Sequence, residues 1–145
     1  SAYQTGTLVL YFANEDGDKL VAQKMDVRYS SNVSREKLIV EKLMQGPQGG
    51  DAGPVINPDT NLLSVTIKDR ICYVNFDSTF LTGAYDIVPE LTVYSIVNSL
   101  VEGTEADQVQ ITINGESDNT YMEAVDLSRP LEEDMDWVAA EDDET

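Results

Sequence analysis

The stretch from Asn61 to Leu81, NLLSVTIKDRICYVNFDSTFL, limits the fold more than any other part of this chain. Leu63, Val65 and Ile67 alternate with Ser64, Thr66 and Lys68. After Asp69-Arg70, Cys72, Val74 and Phe76 alternate with Tyr73, Asn75 and Asp77. Period-two alternation of β-branched and aromatic residues predicts a half-buried antiparallel hairpin. Its inward face carries Leu63, Val65, Ile67, Cys72, Val74 and Phe76, and Phe80 follows as a further apolar anchor. Asp69-Arg70 is neither Asn-Gly nor Asp-Gly, so the residues specify the strands more firmly than the turn type.

Two amphipathic helices flank the hairpin, and each needs a sheet to cover. The first is predicted over 32–45, with Leu38, Ile39, Val40, Leu43 and Met44 on its apolar side. Asn32 or Ser34 caps its start, and Gly46-Pro47 ends it, because glycine takes the left-handed conformation and proline forbids continuation. The second is predicted over 88–102. Pro89 and Glu90 suit its first turn, and Val93, Ile96, Val97 and Leu100 recur at helical spacing. Tyr94 and Asn98 share one side of it and read as a cap on the core edge in preference to a surface site. Between the first helix and the hairpin, residues 48–60 hold three glycines and two prolines but neither a P-loop nor a GxGxxG spacing, and read as a crossover.

Residues 6–13 and 20–29 read as an opening hairpin, and 108–114 as a strand with Val109, Ile111 and Ile113 inward. Residues 121–127 add a short edge strand before Arg129-Pro130. The acidic turn 14–18 fails the calcium-loop pattern, since Gly17 and Met25 fall where that loop needs other residues, and reads as a plain turn. The order β-β-α-β-β-α-β, split-βαβ from the second strand on, predicts an α+β two-layer sandwich: a mixed, mostly antiparallel sheet with both helices on one face. One domain over 1–130 is expected, followed by an acidic tail over 131–145.

The formal charge is −18, from 27 acidic and 9 basic residues. Such a surface repels phosphate backbones and argues against nucleic acid as a partner. Residues 132–144 carry −8 of that charge with no basic residue after Arg129, a pattern that reads as a solvated tail contributing little to folding. The single cysteine, Cys72, excludes an internal disulfide, and histidine is absent, which removes the commonest general base and metal ligand together. No apolar run is long enough to span a membrane. The opening at Ser1 without methionine or signal peptide is read as following a removed upstream segment.

These residues resemble the GerMN domain, the sporulation and spore-germination domain of bacteria. The resemblance rests on TLVLYFANEDGDKLV at 7–21, EKLMQGP at 41–47, LLSVTIKDRICYVNFDSTF at 62–80, YSIVNSL at 94–100, VQITINGE at 109–116 and the trailing DLSRPL at 126–131. It implies a likeness to the ring-building motifs of sporulation channel complexes and one copy of a domain that some relatives carry twice. It also implies export, with lipoprotein anchoring supplied by a segment upstream of Ser1.

The expected function is a non-catalytic extracytoplasmic interaction module in assembly of a sporulation, germination or cell-envelope complex. Its partners would be envelope or spore-assembly proteins, with peptidoglycan and weak self-association as further contacts and no cofactor or metal. Tyr73 and Asn75, projecting from the face away from the helices, are the expected interaction residues. The alternative is a carboxylate-dependent hydrolase or binding module for peptidoglycan. Asp77 and Asp86 are its candidate acids, and Tyr73, Tyr94, Tyr121 and Trp137 its candidate platforms, Tyr73 first among them. Ser78, Ser95 and Ser99 have no histidine to activate them.

Overall fold

The computed structural model describes residues 2–140. Its elements run β1 (Tyr3–Ala13), β2 (Leu20–Ser30), α1 (Arg35–Gln45), β3 (Leu62–Lys68), β4 (Ile71–Phe76), α2 (Pro89–Gly103), β5 (Gln108–Ile113), β6 (Thr120–Tyr121), β7 (Val125–Asp126) and β8 (Leu131–Glu132). Short 3-10 turns follow β4 at Ser78–Leu81 and β8 at Met135–Trp137. The fold is α+β with open sheets, and its first seven elements keep the predicted order.

The predicted single sheet is divided. β3, β4, β5 and β8 form a four-stranded sheet in that spatial order, with β4 and β5 parallel and the other pairs antiparallel. β1 and β2 pair with each other along 11 residues each, and among the described residues no other strand joins them beyond single bridges at Ala13–Gly53 and Leu20–Val138. What replaces a further strand beside β1 is α2. The Ser95 hydroxyl donates to the Tyr11 carbonyl at 2.6 Å, and the Tyr11 N–H donates to the Ser99 hydroxyl at 3.1 Å. Ala13 completes that edge through paired backbone bonds with Gly53 at 3.1 and 2.8 Å. A buried strand edge needs partners for its N–H and C=O groups, and here two helical serines supply them.

α2 is the central element. Leu91, Val93, Ile96, Val97 and Leu100 are buried with Thr92, Ser95, Asn98 and Ser99, so the helix is enclosed on nearly all sides. It packs on β1, α1 and β5 and on the segment that carries β7, β8 and the last 3-10 turn. α1 starts at Ser34, whose hydroxyl accepts the Lys37 N–H at 3.2 Å. It ends at Gly46, with φ of 91°.

The central hairpin has a two-residue turn in which Asp69 and Arg70 both have positive φ, 52° and 64°. Neither is glycine, so the turn carries backbone strain. The Arg70 guanidinium holds it in place with two bonds to Asp107, at 2.7 and 3.0 Å, while the Arg70 carbonyl accepts the Asp107 N–H at 2.7 Å. This ion pair is well exposed, so its own contribution is small and its value is geometric.

A bulge between Leu62 and Ser64 corrects one expectation. Leu62 pairs with Phe76 and packs against the core, and Leu63, expected inward, is 50% exposed. An extra residue on one strand reverses the alternation beyond it. The expected strand over 121–127 is instead a small hairpin, β6–β7, closed by Met122 and Glu123 at positive φ.

The segment expected as an acidic tail from residue 131 is structured through Ala139. β8 pairs with β5, the Ala139 N–H donates to the Leu20 carbonyl at 2.8 Å, and Lys19 reaches the Asp136 carbonyl at 2.9 Å. Asn98, fully buried, donates to the Asp134 carbonyl at 3.0 Å and accepts the Asp134 N–H at 2.9 Å. The charges project outward while the backbone docks, which is why a charge count alone suggested a free tail. The acids at 141–144 lie outside the described residues.

Candidate functional site

The inner face of the four-stranded sheet is fixed by Cys72, Val74 and Phe76 on β4 and Val109, Ile111 and Ile113 on β5, all buried. Alternation then turns Thr66 of β3 and Tyr73 of β4, which are cross-strand partners, to the opposite face. Tyr73 is 39% exposed there. β3 ends the sheet, and no strand beyond it pairs with it among the described residues. Leu63, released by the bulge, adds exposed apolar surface on the same strand. The outcome is an outer face left open over β3 and β4, with an aromatic side chain available there, while over β5 that face is covered where Gln110 is buried and donates to the Leu127 carbonyl at 2.7 Å.

Asn75 lies on that face too, but its side-chain oxygen is committed. Its Oδ1 accepts the Thr112 hydroxyl at 2.9 Å and the Gly115 N–H at 2.7 Å, which pins the Asn114-Gly115 turn against β4. Of the two expected interaction residues, Tyr73 is the accessible one and Asn75 is braced.

The structure gives the other candidates structural work. Asp77 accepts the Asn61 N–H at 3.1 Å and the Asn61 side-chain amide at 2.7 Å, and these bonds hold its carboxyl below the ordinary range. Its charge thereby closes the start of the β3–β4 hairpin. Asp86 sits in the exposed connection ahead of α2, where its carbonyl faces Gly17. A Cβ at Gly17 would lie 2.8 Å from that oxygen, and Gly17 also has φ of 72°, so only glycine fits this contact. In the acidic turn, Asn14 Oδ1 accepts the backbone N–H groups of Asp18 and Lys19 at 3.0 and 3.2 Å. Ser95 and Ser99 are the partners of β1 described above, and Tyr121 is buried against Phe80 with ring centroids 5.3 Å apart.

Two constellations join residues too distant in sequence for spacing to reveal them. The Tyr11 hydroxyl lies 2.9 and 2.8 Å from the two carboxylate oxygens of Glu102. Burial first, then the Glu102 carboxylate, pushes the Tyr11 hydroxyl well above its usual range. Glu133, brought in by the docked segment and still exposed, is held above the ordinary glutamate range by partial desolvation first and then by Glu102. The second is a cleft of about 410 Å³ between α2 and the segment from Ala124 to Trp137. Tyr94 and Trp137 form one side of it, with near-parallel rings at 19° and centroids 6.5 Å apart. Sequence reading picked both aromatics as platforms, but nothing in their spacing signalled that they meet.

The family described as Germane, sporulation and spore germination, matches residues 9–119, which is more than half of the chain. Among solved structures, the first GerMN domain of the sporulation protein GerM from Bacillus subtilis is 25% identical, with a TM-score of 0.67 over 89% of this chain and 96% of that one. The tandem GerMN domains of the same protein give a TM-score of 0.74 at 20% identity, over 93% of this chain and 48% of that one. This chain thus spans about half the length of the tandem structure. A candidate lipoprotein from Clostridium perfringens shares the fold, with a TM-score of 0.59 at 21% identity over 88% and 87% of the two chains. No curated protein matches.

Proposed function

Since the chain belongs to the Germane family of sporulation and spore germination proteins, we propose that it is a non-catalytic, extracytoplasmic interaction module in the assembly of a sporulation, germination or cell-envelope complex. The observation that carries the reading is the outer face of β3 and β4, where exposed Tyr73 of β4 and exposed Leu63 lie next to the unpaired edge of β3. An extended segment of a partner could pair along β3 and bury both side chains. Membrane anchoring through a lipid on an upstream segment fits the fold shared with a candidate lipoprotein. Contact through one small face is weak in isolation, because permanent interfaces need larger or more apolar surfaces. It strengthens when an envelope assembly holds many copies together, through effective concentration.

The carboxylate-hydrolase alternative has one observation of its own, the Glu102–Glu133 pair with its raised glutamate. A raised acid beside a carboxylate is what a proton donor needs. Tyr11 occupies Glu102, however, and neither carboxyl lines the cleft beside Tyr94.

The test has two arms. Envelope proteins that co-purify with the protein should be lost with Tyr73→Arg or Leu63→Arg and kept with Met135→Arg, an exposed position on the docked C-terminal segment. Equal recovery from all three variants would remove this face from consideration. Incubation with peptidoglycan should release no soluble fragments. Release that Glu133→Gln abolishes would replace the binding reading with the hydrolase.

A further inference from the structure

The cleft beside α2 is distinct from the proposed docking face and does not depend on it. Its lining includes Glu90 and Tyr94 from α2, and Asp126, Arg129, Leu131 and Trp137 from the segment that crosses it. Tyr94 and Trp137 are both half-buried, so each leaves part of its ring open. Both rings line the cleft, 19° from parallel with centroids 6.5 Å apart, and together form its aromatic wall.

The charges decide what that wall would take. Among the described residues, Glu90 makes no ion pair and no side-chain hydrogen bond, although it borders an aromatic cleft. Asp126 is held below its ordinary range mainly by its hydrogen bonds from Ser128, with Arg129 the smallest contributor, and the lining as a whole sets two carboxylates, Glu90 and Asp126, against one guanidinium. Around Tyr94 the field is negative. Burial first, then the Asp134 and Glu90 charges, holds its hydroxyl above the ordinary value. The chain as a whole carries −18. A neutral sugar could stack on such a wall but would leave Glu90 unanswered, and an anion would be repelled. A cation on an apolar stem uses both features. Its charge is attracted to aromatic faces and to the carboxylate, and its stem lies on the rings and on Leu131.

We propose that this cleft binds the side chain of a lysine presented by a partner protein, with the ammonium at Glu90 and the methylene stem along Tyr94 and Trp137. Glu90 sits in the first turn of α2, where the helix end favours a negative charge.

Trp137 is the only tryptophan of the chain, so its fluorescence reads this cleft directly. The full chain is titrated with Nα-acetyl-lysine methylamide, with the norleucine analogue, which has a similar stem without the charge, and with triacetylchitotriose. The lysine probe should give a saturable change that the other two do not, and added salt should weaken it. Glu90→Gln should weaken binding about fivefold. Arg129→Gln, which removes a repelling charge, should tighten it, and Tyr73→Arg should leave it unchanged. Saturation by chitotriose alone would assign the wall to sugar. An equal response to norleucine, an unchanged affinity in Glu90→Gln, or weaker binding in Arg129→Gln would each overturn the proposal.

Discussion

Asn98→Ala tests whether the C-terminal segment is part of the fold. The Asn98 side chain is fully buried in α2, and both of its polar ends bond the backbone of Asp134, at 3.0 and 2.9 Å. Alanine removes both bonds and keeps the helix, since it is the best helix former. Each bond is worth about 1 kcal/mol net. The Asp134 N–H and C=O are half-buried, so water replaces only part of what they lose. The expected loss is therefore about 2–3 kcal/mol. For a chain of this length that lowers Tm by roughly 6–10 °C. Urea unfolding followed by circular dichroism measures the loss, and Trp137 emission reports whether the segment has lifted. Trp137 lies three residues beyond Asp134 and its ring faces Tyr94, so detachment should shift its emission to the red. Asn98→Leu separates packing from bonding, because it fills the site but strands the same backbone groups. A loss below about 0.5 kcal/mol in Asn98→Ala, the range of ordinary surface changes, would refute the reasoning and return residues 131–139 to the status of a solvated tail.

Phe80→Ala should cost about 3–5 kcal/mol in urea unfolding, because Phe80 is buried and stacks on Phe76 at 4.4 Å with the rings 2° from parallel; a loss under about 1 kcal/mol would contradict that packing. Cys72 is fully buried and burial pushes its thiol up to about 12, so a thiol reagent should label it only as fast as the protein opens; rapid native labelling would mean the wrong face of the hairpin is inside. Glu133 has a folded pKa raised above its unfolded value, so the folded state holds its proton more tightly and stability falls as pH rises through the folded pKa. Glu133→Gln, which mimics the neutral acid, should raise Tm at pH 7 and leave it nearly unchanged at pH 4; an equal effect at both would sever it from Glu102.

The repeated two-residue and helical spacings determined the elements by themselves. Val65, Ile67, Val74, Phe76, Val93, Ile96, Val97 and Leu100 all turn inward as their periods require, because a strand or helix must bury its apolar side. The punctuation was also local: Ser34, Gly46-Pro47 and Pro89 act on their own backbone, and the structure uses each where the sequence places it. Tyr73 was legible as outward-facing for the same reason.

Tertiary structure decided what depends on a neighbour's position. Leu62-Leu63 offers two adjacent residues for one inward place, and the cross-strand partner Phe76 selects Leu62. The separation of β1–β2 from the main sheet depends on Ser95 and Ser99, small polar residues whose periodicity marks them only as part of a helix. The acids after Arg129 suggested solvent because charge is read residue by residue, while docking there is carried by backbone groups and by Trp137. The cleft and the Tyr11–Glu102–Glu133 cluster join residues dozens of positions apart, and only the packing of α2 brings them together.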